Sequence, residues 1–148
     1  MRSLITVNTI PLSDPVLLKN ALVDLNGFLS EYGLSITDKQ IKRLSDARVK
    51  ALRASGRIEL GEGIVPVLAR EFSSCLFVNE NNFADVIEKL TYIFFEVKTA
   101  VCDRISDKDL VRLMKDFYEN RYFGFAGNFG ERDVDVLVKL IELELAGK

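Results

Sequence analysis

The sequence contains no histidine, and only two of its 148 residues are cysteine. Histidine is the usual general base near neutral pH and the commonest metal ligand in proteins. Its absence excludes Ser-His-Asp and Cys-His nucleophile systems, histidine-ligated zinc and the Glu-x-x-His sites of di-iron bundles. We therefore favour a non-enzymatic function, and we expect no catalytic residue, no cofactor and no metal.

The two cysteines, Cys75 and Cys102, are too few to form a zinc site by themselves. Each falls within an apolar stretch with helical spacing, which predicts two reduced thiols buried in the core. Reduced thiols are typical of the cytoplasm, which is the location we expect for this protein.

Long apolar runs are also missing, so we expect no membrane span. The first residues, "MRSLITVNTIPL", carry one arginine and a short interrupted apolar run without a small-residue cleavage site. A secretory signal is therefore not expected, and we interpret residues 1–12 as an extended N-terminal arm. The remaining residues, 13–148, have the length of one ordinary domain.

The bulk composition is that of a globular protein: 48% of the residues are hydrophobic and 28% are charged. The formal net charge is −2, which does not favour general binding to polyanions. Binding to nucleic acid is consequently not expected unless a local basic patch supports it.

Capping residues divide the chain into helices. Asp14 and Pro15 start a first helix that Gly33 ends, and the capping pair Thr37 and Gln40 starts a second. The second helix ends at Gly56. A third helix is expected from Ile64 to about Cys75. Pro66 does not exclude it, because proline is tolerated in the first turn of a helix.

The longest helical pattern spans residues 83–105, whose apolar residues form one continuous stripe, and we expect it to be the central helix. Ser106 and Asp109 resemble a capping box that starts a fifth helix running to about Asn120. A last helix runs from about Glu131 to Leu145. The sequence thus predicts an all-α protein, a single compact domain of about six helices packed as an orthogonal or irregular bundle. The only strand candidates are "RIEL" (57–60) and the N-terminal arm.

The second helix has a basic face, which we define by six residues that share one side: Lys39, Lys42, Arg43, Lys50, Arg53 and Arg57. Such a stripe can bind the phosphates of a nucleic acid or another anion. It is equally typical of an ordinary solvated helix face, which we favour for an acidic protein without aromatic residues in the stripe.

Arg48 lies in the middle of the apolar side of the same helix. Burying a guanidinium group is costly unless it is paired and hydrogen-bonded, so a carboxylate should reach it. Glu59, Glu62 and Glu71 are the nearest candidates in sequence. The pair is either a buried clamp or an anion-binding arginine in a pocket, and the clamp is the commoner arrangement. Gly61 and Gly63 predict a tight turn nearby.

Two features suggest contact with another protein. The segment "RYFGFAGNFGER" (121–132) places four aromatic rings among glycines, at Tyr122, Phe123, Phe125 and Phe129. These rings either plug the end of the core or form an exposed binding surface, and we favour a structured plug that leaves one or two rings available to a partner. The last helix is apolar on two sides, because Val136, Leu140 and Leu143 lie opposite its main stripe. Such a helix is either buried in the domain or shared with a second chain.

The stretches "ARVKALRASGRIELGEGI" and "RISDKDLVRLMKDFY" resemble an uncharacterised family of small cytoplasmic proteins from Gram-positive, spore-forming bacteria. The resemblance covers about residues 35–145, and the Gly-Arg-Ile-Glu-Leu-Gly turn is its most specific part. It implies a bacterial, intracellular protein and supplies no activity. Our functional hypothesis is a helical protein–protein interaction module that forms a homodimer. The alternative is binding of an anion, nucleotide or nucleic acid through the basic face.

Overall fold

The computed structural model describes residues 15–121 and 131–147, which form six α-helices and no β-strand. The helices are α1 (Pro15–Leu29), α2 (Asp38–Ser55), α3 (Val65–Phe72), α4 (Phe83–Ala100), α5 (Asp107–Arg121) and α6 (Glu131–Ala146). A short 3₁₀ helix, Ser30–Tyr32, extends α1. The prediction of a compact all-α fold is confirmed. The "RIEL" segment is not a strand among these residues, and the predicted N-terminal arm and Asp14 cap lie outside them.

Helix α4 is the centre of the fold. It packs against α2, α3, α5 and α6, while α1 packs against α2 and α3. Its contacts on several sides explain why nearly every apolar residue along it is buried. The core residues of α4 include Phe83, Ile87, Leu90, Phe94 and Val97.

The capping signals in the sequence correspond to real helix ends. Thr37 and Gln40 form the predicted capping box at the start of α2. The hydroxyl of Ser106 accepts a hydrogen bond from the backbone N–H of Asp109, 3.2 Å away, at the start of α5. Gly56 ends α2 with a left-handed backbone conformation (φ 64°), which glycine adopts without steric cost.

Two predicted helix ends are wrong. Helix α3 ends at Phe72 rather than near Cys75, and the Ser73 hydroxyl there donates to the carbonyl of Arg70, a local bond that competes with helix continuation. Helix α4 ends at Ala100, so its apolar stripe does not continue as a helix to Ile105. The chain turns at Cys102 and Asp103, which have positive φ angles of 54° and 58°.

This turn changes the interpretation of the cysteines. Cys102 is exposed in the turn, so the prediction of a buried helical thiol is wrong there. The spacing of the stripe gave no sign of the turn, because it contains no glycine or proline. Cys75 is buried, as expected, although it follows α3 instead of lying within it.

Candidate functional site

The connection between α2 and α3 is built around a buried arginine. The Arg48 side chain is 1% exposed, and its Nε donates to Oε1 of Glu59 at 2.6 Å. Its Nη2 donates to the carbonyl oxygen of Gly61 at 2.8 Å. The second carboxylate oxygen of Glu59 accepts the backbone N–H of Ile64 at 2.9 Å. One carboxylate therefore joins α2 to the start of α3.

Gly63 leaves the space in which this ion pair lies. A Cβ atom at position 63 would lie 2.0 Å from Oε1 of Glu59 and 2.8 Å from Nη2 of Arg48. The residue also has a φ of 74°, in the left-handed region. Both the space and the backbone conformation thus require glycine.

The other two carboxylates considered for Arg48 lie elsewhere. Glu62 is exposed and Glu71 is partly buried, and both border a groove of about 1150 Å³ beside the turn. We call it the turn groove. Its walls are residues 58–64, the sides of α1 and α3 around Asp24 and Val67, and the start of α5. Ile58 and Leu60 project into solvent there, with 68% and 69% of their surface exposed.

These two exposed residues were not singled out from the sequence. Exposure alternates along residues 57–63, with Glu59 turned inward and its neighbours turned outward, as in an extended chain. The pattern Ile-Glu-Leu contained this signal: once Glu59 is assigned to Arg48, its two apolar neighbours must face the other way.

The outer face of α6 is a second candidate surface. Val134, Leu137 and Ile141 are buried against the core, whereas Leu140 and Leu143 are 39% and 70% exposed. Val136 is partly buried and packs against the core. We use "outer face" for the stripe Val136, Leu140 and Leu143, which recurs at helical spacing and is most exposed at Leu143.

The aromatic loop gives no further information on this surface. Its four rings, Tyr122, Phe123, Phe125 and Phe129, lie outside the residues that the structure describes. Whether they plug the core or remain exposed stays a prediction.

The basic face of α2 is partly neutralised by neighbouring acids. Arg43 pairs with Asp85 and Glu88 of α4, and the hydrogen bonds that it donates to these two carboxylates raise the pKa of Arg43. Arg57 pairs with Asp103, and this contact lowers the pKa of the Asp103 carboxyl. The remaining four members of the basic face are exposed: Lys39, Lys42, Lys50 and Arg53.

A second buried cation, Lys98, lies at the end of α4. It is 7% exposed, and its ammonium group contacts the carbonyl of Ile105 and the carboxylate of Asp107, the latter at 2.7 Å. The contact ties α4 to the first residue of α5. Helical spacing does not predict this contact, because Lys98 is not one of the apolar residues that form the stripe along α4.

The described ranges hold neither a cluster of metal ligands nor a membrane-spanning helix. In residues 15–121 and 131–147, no group of three or more Cys, Asp or Glu side chains is arranged to hold a metal ion. No helix in the same ranges combines the length and apolar composition of a membrane span.

Comparison with known protein families identifies the family of this chain. The profile of a family described as being of unknown function, DUF6323, matches residues 21–146, which include all of α2 to α6 and the Arg48–Glu59 pair. No curated protein and no solved structure matches the chain.

Proposed function

The chain belongs to the family of unknown function DUF6323, and we propose that it is a non-enzymatic helical interaction module that forms a homodimer through α6. The observation that carries the proposal is the exposure of Leu140 and Leu143 on α6. A solvent-facing apolar stripe on a helix is stabilised when a second helix covers it.

The stripe has the spacing of a short helix-pairing seam. Val136, Leu140 and Leu143 follow one another at intervals of four and three residues, which is the d-a-d pattern of a coiled coil. Exposed Lys139 and Glu144 flank the stripe on either side and lie five positions apart. In a parallel pair of helices, residues with this spacing lie opposite each other across the seam. Lys139 of one copy would then face Glu144 of the other.

Sedimentation of the full chain tests the proposal. We expect a dimer at micromolar concentrations and a monomer for Leu143→Glu, because two carboxylates would be forced into the apolar seam. Leu76→Glu is the matched control: Leu76 is 90% exposed and lies far along the chain from α6. A monomeric wild-type chain, or a Leu143→Glu variant that sediments like the control, contradicts the proposal.

The alternative function, anion or nucleic-acid binding by the basic face, has narrower support. Lys39, Lys42, Lys50 and Arg53 are exposed along one side of α2. The ion pairs of Arg43 and Arg57 reduce the positive charge available to a ligand. Fluorescence anisotropy with a single-stranded oligonucleotide tests it. Binding that weakens steeply with salt and disappears when Arg43, Lys50 and Arg53 are neutralised would favour this alternative.

A further inference from the structure

The turn groove presents apolar side chains on a stretch of chain that is held in place. Ile58 and Leu60 lie outside the helices, on the same side of the chain and two residues apart, and both are about two-thirds exposed. Val67 of α3, 43% exposed, borders the same groove. Among the described residues, these side chains pack against too little of the protein to be part of its core.

The backbone of this stretch is fixed by the buried ion pair. Glu59, between the two exposed residues, accepts hydrogen bonds from Arg48 and from the N–H of Ile64. The carbonyl oxygen of Gly61 also accepts one from Arg48. Binding to a surface that is already ordered costs less conformational entropy than binding to a loop that must first be ordered. The Arg48–Glu59 pair therefore does more than join two helices, because it holds two apolar side chains in a fixed position.

The spacing of the exposed residues favours an extended ligand. Alternate side chains of an extended chain lie roughly 7 Å apart on one face, so a strand-like peptide lying alongside residues 58–60 presents its own alternate side chains to Ile58 and Leu60. A helix presents side chains at intervals of three and four residues, which matches this pair less well.

The charges around the groove indicate the polar part of the ligand. Asp24, Glu62 and Glu71 border it. Asp107 at the start of α5 also borders it, but its carboxylate is already paired with Lys98. Of the two cations at its border, Arg70 lies over the ring of Phe28, 4.4 Å from its centroid, and Lys108 is exposed. The three other carboxylates outnumber the two cations, so basic side chains of a ligand are favoured over acidic ones.

We propose that the turn groove binds an extended segment of a partner protein in which apolar side chains alternate with lysine or arginine. The surface is distinct from the outer face of α6. The proposal therefore goes beyond dimer formation and does not depend on it.

Selection of peptides tests this directly. Random 12-residue peptides displayed on phage are selected on the immobilised full-length protein, and the enriched peptides are synthesised for anisotropy measurements. We expect them to be basic with apolar residues at alternate positions. Ile58→Asn together with Leu60→Asn should weaken binding at least tenfold, whereas the control Leu76→Asn, at an even more exposed apolar position, should leave it unchanged. Circular dichroism verifies that the variants remain helical.

Three results would overturn the proposal: no enrichment over an unrelated protein, enrichment of acidic peptides, or equal binding to the Ile58→Asn, Leu60→Asn variant. Sedimentation of the Ile58→Asn, Leu60→Asn variant is a further test. We expect the variant to have the same mass as the wild-type chain. A lower mass than that of the wild-type chain would show that a second copy of the chain occupies the groove, whereas an unchanged mass with lost peptide binding supports the proposal.

Discussion

The side chain of Arg48 donates a hydrogen bond to that of Glu59, eleven residues further along the chain, with 2.6 Å between Nε and Oε1. Arg48 lies on the apolar side of α2, and Glu59 lies in the turn that precedes α3. The carboxylate also accepts the N–H of Ile64 at the start of α3, where a negative charge is favoured by the helix dipole. The turn and the start of α3 therefore depend on the positive charge of Arg48, which is buried in α2.

Removing the carboxylate should be strongly destabilising. Glu59→Ala leaves the guanidinium of Arg48 buried without its charge partner, which costs about 3 kcal/mol of unfolding free energy. Urea unfolding followed by circular dichroism measures the loss. Replacing both partners, with Arg48→Met and Glu59→Leu, should recover most of it, because an apolar pair has no desolvation cost to offset. A single variant as stable as the wild type would contradict this account.

Two glycines of the same turn should differ in their tolerance of alanine. Gly61 and Gly63 have similar φ angles, 65° and 74°, so alanine is strained by about 1 kcal/mol at either position. A Cβ at Gly61 meets no atom within 4 Å, whereas a Cβ at Gly63 displaces the Glu59 carboxylate from Arg48. Gly63→Ala should therefore be destabilised by at least about 2 kcal/mol more than Gly61→Ala in urea unfolding. Equal losses would show that the ion pair moves without cost.

Helix positions and the Arg48 environment could be predicted because they depend on local rules. Thr37 with Gln40 and Ser106 with Asp109 identify helix starts through bonds between residues three apart. Arg48 stands out because one charge interrupts an apolar stripe. The same rules failed at the end of α4, where Cys102 and Asp103 adopt positive φ without glycine. There the turn is accompanied by two contacts that periodicity does not encode: a distant one between Arg57 and Asp103, and one across the turn between Lys98 and Asp107.

For a similar reason, the sequence indicated the outer face of α6 but not the turn groove. The outer face of α6 follows from helical spacing alone, since Leu140 and Leu143 extend the apolar surface of the helix beyond the buried stripe of Leu137 and Ile141. The turn groove does not, because its walls come from α1, α3, α5 and the turn, which are brought together only by the tertiary fold. Residue spacing therefore reveals a site on one element more readily than a site between several.

The two thiols should react at very different rates. Burial raises the pKa of the Cys75 thiol, which lowers its thiolate fraction and also blocks reagent access, whereas Cys102 is exposed. At pH 8, a thiol-reactive disulfide reagent should label one thiol per chain quickly and the second only on unfolding. Cys102→Ser should lose the fast phase and Cys75→Ser should retain it. Two fast thiols in the wild-type protein would exclude a buried Cys75.

Tyr118 should make the protein sensitive to alkaline pH. Burial raises the pKa of Tyr118 to about 12, above the ordinary value of 10.0 that it regains on unfolding. The folded state therefore prefers the protonated phenol. This preference has its full effect below pH 10, and the unfolding free energy then falls by up to about 1.4 kcal/mol per pH unit as the pH rises towards 12.

Urea unfolding at pH 9, 10 and 11 measures the effect, with tyrosinate absorbance as an independent record of ionisation. Tyr118→Phe should be less dependent on pH in this range, whereas Tyr32→Phe, at a position 47% exposed, should behave like the wild type. A pH dependence that is identical in all three proteins would assign the alkaline loss of stability to other groups.

Exchange of two charges on α6 should reveal how the helices pair in the proposed dimer. In a parallel pair, Lys139 of each copy faces Glu144 of the other, so Lys139→Glu or Glu144→Lys alone places like charges opposite each other. Either change should weaken the dimer by about 1–2 kcal/mol, roughly tenfold in Kd. The double variant should regain wild-type affinity, and a mixture of the two single variants should form heterodimers.

In an antiparallel pair each residue instead faces its own counterpart, so Lys139→Glu would pair preferentially with the wild-type chain. Sedimentation of these mixtures at low salt therefore distinguishes the two arrangements, and a dimer that is indifferent to every exchange would remove Lys139 and Glu144 from the interface.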